Sequence, residues 1–120
     1  MSKIGERVAI IGLILAVVLI VSFLVRYERK LNKQVVMYYQ LQAIRTSINL
    51  FKAMEHRNPA SLKELVTSTY EFPQENQKRH YLENPLVNEN GKLLDPFANA
   101  YEYDAKTAWV RSSTPGYFYW

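Results

Sequence analysis

An eighteen-residue run without charge or proline, Val8 to Val25, constrains this chain more than any other feature. Arg7 and Arg26 bound it. As a helix rising ~1.5 Å per residue it spans about 27 Å, close to the hydrocarbon thickness of a bilayer. The core helix of a soluble protein carries a polar face, and this segment has none. The run therefore predicts a transmembrane helix over 8–25, with 1–7 as its N-terminal flank. A cleavable secretory signal is the rival reading. Such signals have a shorter apolar region and small residues at a cleavage site, whereas Arg26-Tyr27-Glu28-Arg29 follows here directly. Gly12 and Ala16 stand four apart, a spacing that lets helices approach closely but also occurs in ordinary membrane helices.

Charge is unevenly spread. Residues 1–57 carry nine Lys and Arg against Glu6, Glu28 and Glu55, a net of +6; residues 58–120 carry six against eight acids, a net of −2. A basic chain raises the question of nucleic acid. Here the excess flanks the apolar run, where Arg26, Arg29 and Lys30 suit lipid headgroups or neighbouring helices better. No nucleic-acid partner is expected. The count of positive charges alone would put the C-terminal side in the cytoplasm. Without cysteine there is no disulfide or thiolate chemistry.

The helical pattern continues past the apolar run. Between Tyr27 and His56 there is neither Pro nor Gly, and Leu31, Val35, Tyr38, Leu41, Ile44, Ile48 and Phe51 recur at spacings of three and four. That stripe predicts an amphipathic continuation over 26–57, serving as the spine of a small domain or as a coiled-coil stalk. Residues 58–120 read as that domain. Ser61 and Glu64 have capping-box spacing at the start of a short helix, whose Leu62, Leu65 and Val66 can face a core. The polar stretch 71–80 reads as a loop. Asn90-Gly91 between Leu86-Val87 and Leu93-Leu94 is a hairpin signal. Tyr101 and Tyr103 alternate with Glu102 and Asp104, and Ala105-Lys106-Thr107 turns into Ala108-Trp109-Val110-Arg111. Ser112 to Gly116 reads as a second break before Tyr117-Phe118-Tyr119-Trp120. The expected class is α+β, a long helix packed on a small antiparallel sheet.

Two segments carry a family resemblance. Asn58-Pro59-Ala60-Ser61-Leu62-Lys63-Glu64-Leu65-Val66 is similar to the Pro-x-Ser-Leu-x-x-Leu-Val stretch that follows the long helix in the type IV pilin superfamily. Asp95-Pro96-Phe97-Ala98-Asn99-Ala100-Tyr101-Glu102-Tyr103 resembles its Asp-Pro-Trp-Gly-Asn-Pro-Tyr-x-Tyr segment. The order and separation of the two are closest to the major pseudopilins of type II secretion systems. The matching positions are Pro59, Ser61, Leu62, Leu65, Asp95, Pro96, Asn99, Tyr101 and Tyr103.

The resemblance implies a subunit of an inner-membrane-rooted filament, assembled through its N-terminal helix with other pilins or pseudopilins and membrane assembly proteins. It also implies that 1–7 is a cytoplasmic flank and that the C-terminal domain is on the periplasmic or extracellular side, against the charge count. The chain departs from the family in three places. The prepilin cleavage pattern is missing, since Gly5 is followed at once by Glu6. The helix-breaking proline of the apolar segment is absent. The C-terminal loop, which holds calcium in many pseudopilins, has no acid in Ser112-Ser113-Thr114-Pro115-Gly116, so no metal or cofactor is expected. After loss of Met1, Glu6 would be fifth, where the family keeps an acid that pairs with a neighbour's amine; otherwise it is a solvated residue at the membrane edge.

His56 and His80 are isolated, and no phosphate loop or nucleophile motif appears. The chain reads as non-catalytic. A non-polymerising single-span protein whose domain binds a protein partner is the alternative.

Overall fold

The computed structural model of the chain describes residues 2–83, 85 and 90–120. It is α+β, in the order α1 (Lys3–Glu55), α2 (Leu62–Thr67), β1 (Thr69–Tyr70), β2 (Arg79–His80), β3 (Tyr101–Asp104) and β4 (Trp109–Ser112). Two compact units divide within α1, between Gln34 and Val35.

The first unit is helix alone. Ser2 accepts the Gly5 N–H through its hydroxyl at 3.2 Å and the Glu6 N–H through its carbonyl, so the helix starts from a capped turn with an acid in it. Every residue from Ser2 to Lys33 is exposed. The helix is long and apolar enough to cross a membrane.

In the second unit, α1 supplies the floor of the core. Met37, Leu41, Ile44, Ile48 and Phe51 are buried with Leu62, Leu65, Tyr81, Leu93, Tyr101 and Val110. The stripe read from the sequence is correct from Leu41 onward and wrong before it. Leu31, Val35 and Tyr38 are exposed, and the buried line runs instead through Met37. A step of four from Met37 to Leu41 keeps the line on the core, whereas Tyr38 lies about 100° around the helix from Met37. Ser47 is also buried on this face; its hydroxyl contacts the Ala43 carbonyl at 2.8 Å and the Tyr81 carbonyl at 2.6 Å.

Helix α1 ends at His56, whose φ of 57° puts it in the left-handed region, with its N–H on the Lys52 carbonyl at 3.0 Å. Helix α2 follows. The expected capping box forms only in part, because Ser61 makes no side-chain cap. Glu64 instead reaches back to the Ala60 N–H at 2.7 Å and pairs with Arg57. Arg57 in turn lies 4.9 Å from the centre of the Phe51 ring.

Among the described residues the strands form two antiparallel ribbons rather than the expected single sheet. The first overturns the reading of 71–80 as loop throughout. Arg79 and His80 pair with Tyr70 and Thr69, and a two-residue strand among polar side chains has no alternation to betray it. The second is the predicted hairpin, with Tyr101 opposite Ser112 and Asp104 opposite Trp109. Its turn is set by Asp104, which accepts the Lys106 N–H at 2.9 Å, and by Ala108 at φ 59°. Gly91 has the positive φ expected of a turn glycine, but Leu86 and Val87 of the Asn90-Gly91 hairpin lie outside the described residues. Leu94 bridges antiparallel to Ala100 around the Asp95–Asn99 turn. Tyr117 to Trp120 form turns rather than a strand.

Candidate functional site

Two regions gather the residues singled out from sequence. The first is the exposed apolar helix. Gly12 and Ala16 share one stripe, and a Cβ added at Gly12 would meet nothing within 4 Å, so that surface is open to a neighbour. Glu6 lies about 120° around the helix from Gly12, on a different face. Arg26, Arg29 and Lys30 follow the apolar run and are exposed.

The second region is built around Asp95, a carboxylate only 2% exposed. Its Oδ1 accepts the backbone N–H groups of Phe97 and Asn99, each at 2.9 Å. Its Oδ2 accepts the hydroxyls of Ser112 at 2.6 Å and of Thr114. The hydroxyls are themselves held: Thr114 Oγ1 accepts Asn99 Nδ2 at 2.9 Å, and Ser112 Oγ accepts the Thr114 N–H at 3.1 Å. Each donor thus points toward the buried charge, a chain of hydrogen bonds that polarise in one sense. Among the described residues no buried side-chain polar atom lacks a partner. Ser112 and Thr114 were missed in the sequence, where they read as a break. Their hydroxyls take both side-chain hydrogen bonds of the Asp95 Oδ2.

The remaining motif positions are structural ties. Tyr101 is buried; its hydroxyl donates to Gln40 Oε1 at 2.7 Å, and burial, with Asp95 adding to it, pushes its phenol well above the ordinary value. Tyr103 donates to the Pro59 carbonyl at 2.7 Å; burial, then the nearby Glu64 and Asp104, raises its phenol. Pro59 is fully buried, and Leu62 and Leu65 belong to the core. Pro96 is half-buried, and Ser61 is exposed. Asn58, at the head of the first motif, donates through Nδ2 to the carbonyls of Ala105 at 3.0 Å and Lys106 at 3.2 Å. The two family-like segments therefore meet.

The C-terminal aromatics divide. Tyr117 stacks on Phe97 at 5.2 Å and meets Trp120 edge-on at 4.9 Å, while Tyr119 is 99% exposed. Arg45 donates to the Trp120 carbonyl. Beside this contact lies a groove of about 460 Å³, lined by Asn49 and Lys52 of α1 and by Trp109, Tyr119 and Trp120. Arg45 and Gln40 carried no signal in the sequence beyond lying off the apolar stripe.

Compared with family models, with curated proteins and with solved structures, the chain finds no match in any of the three.

Proposed function

We propose that this chain is a pilin-like structural subunit of an inner-membrane-rooted filament, of the type II secretion or type IV pilus kind, and that it carries no catalytic site or cofactor. The observation that carries this reading is the division of labour within α1. Its N-terminal part exposes an uninterrupted apolar surface, while its C-terminal part is the floor of a small α+β core. A helix so built presents apolar surface either to lipid or to the same helix of other copies, and a bundle of such helices roots a filament in a membrane.

Two details of the distal unit support the resemblance. Ala98 stands where the pilin segment has glycine, and its φ of 63° is the left-handed conformation that glycine adopts without strain. The Tyr103–Pro59 hydrogen bond joins the two segments that carry the resemblance. In this reading Gly12 and Ala16 face neighbouring helices, Glu6 meets a neighbour's N-terminus, and the distal unit lies on the periplasmic or extracellular side. The test is electron microscopy of material sheared from cells expressing the full chain. Filaments labelled by an antibody to the chain are expected. A chain found solely as membrane-bound monomer would rule the filament out.

One observation favours a second reading, a non-polymerising anchored module that binds a protein partner. It is the groove beside Trp109, where three aromatic rings and Lys52 border open space. Under that reading Trp109→Ala abolishes capture of the partner and leaves the fold intact; under the filament reading it leaves assembly unchanged.

A further inference from the structure

We infer that Arg26, Arg29 and Lys30 form a binding face for anionic lipid headgroups in the leaflet at the C-terminal end of the apolar span. This rests on the span's crossing a bilayer, not on filament assembly.

The helix is continuous through this stretch, so side-chain directions follow from about 100° of turn per residue. Relative to Arg26, Lys30 falls at about +40°, Arg29 at about −60° and Lys33 at about −20°. All four cations of 26–33 therefore share an arc of about 100°. Glu28, the sole acid of the stretch, falls at about 160° from Arg26, on the opposite face. The segregation keeps Arg26, Arg29 and Lys30 on the face away from Glu28. All four cations are exposed.

The axial placement suits a headgroup layer. Arg26 directly follows Val25, the last residue of the apolar run, and Lys30 lies about 6 Å further along the axis. The polar layer on each side of a bilayer is about 5–7 Å deep. Arg26, Arg29 and Lys30 thus sit within one such layer when Val8–Val25 fills the hydrocarbon, and their long stems can extend along it. In the orientation proposed above, this end of the span carries more positive charge than its cytoplasmic end, against the ordinary bias. Headgroup binding gives those charges a use on that side.

The test is lipid selectivity of the full chain, reconstituted in phosphatidylcholine bilayers carrying spin-labelled phosphatidylglycerol or spin-labelled phosphatidylcholine. The readout is the fraction of each label immobilised at the protein. Wild type is expected to favour phosphatidylglycerol by about fivefold at low salt, the worth of roughly one cation at an anionic surface. Added salt should shrink the preference. The triple variant Arg26→Gln/Arg29→Gln/Lys30→Gln should bring the ratio close to one. Lys63→Gln/Lys78→Gln/Lys106→Gln, which removes the same charge elsewhere, should leave it unchanged. An equal ratio in wild type, or a ratio the first triple variant does not lower, would overturn the inference alone. So would an equal ratio accompanied by crosslinking of Arg29→Cys to acidic segments of a second copy, which assigns the face to protein. A chain that fails to insert overturns both this and the membrane reading.

Discussion

The Tyr103 hydroxyl donates to the Pro59 carbonyl across 2.7 Å, from the middle of β3 to the turn between α1 and α2. Forty-four residues separate the two, and Pro59 is fully buried. The bond thus fixes the hairpin against the turn that ends the long helix. Tyr103→Phe keeps the ring and removes the donor, leaving the carbonyl without this partner. It should destabilise the distal unit by about 1–2 kcal/mol, read by denaturation of the full chain in detergent.

Asp95 should matter more. Asp95→Ala strips the acceptor from two backbone N–H groups and two hydroxyls, and should cost about 3 kcal/mol. In a double-mutant cycle, Asp95→Ala and Thr114→Val should couple by about 1 kcal/mol or more, because the two side chains share one bond. Additive losses would show that the hydroxyl does not hold the carboxylate.

Ala98 offers a change in the other direction. An L-residue at φ 63° carries backbone strain that glycine does not. Ala98→Gly should raise stability by about 0.5–1 kcal/mol despite the greater freedom of the unfolded glycine chain, measured as a shift in denaturation midpoint. The side chain is exposed, so no packing is lost.

Glu64 should make the unit acid-sensitive. The Arg57 guanidinium, and then the Ala60 N–H, hold its carboxyl below the usual value of 4.5. The unfolded chain therefore takes up this proton at a higher pH than the folded one. The stabilisation is present above pH ~4.5 and is lost as pH falls through the lower folded value. Over that window the wild type should lose more stability than Glu64→Gln, and the two curves should run parallel above it.

Much of this architecture can be read from local pattern. The apolar run, the end of the helix near His56, the short helix at Leu62 and the Tyr101–Ser112 hairpin each follow from period, charge or turn residues within a short window. What escaped depends on distant partners. The β1–β2 ribbon has two residues per strand, too few for alternation to appear. Met37 takes the core position that the spacing gave to Val35 and Tyr38, because the core residues outside α1, from Leu62 to Val110, lie twenty-five or more positions away. Ser112 and Thr114 look like linker residues until Asp95 folds back onto them. The likeness of 58–66 and 95–103 to pilin segments located the Asp95 node without indicating how it is built.

The most direct measurement of the filament claim uses the absence of cysteine. With Gly12→Cys/Ala16→Cys as the sole thiols, the full chain is oxidised in native membranes and run without reductant. Close packing of α1 copies through this stripe predicts a ladder of covalent multimers extending beyond the dimer. Monomer alone under the same oxidation would contradict it.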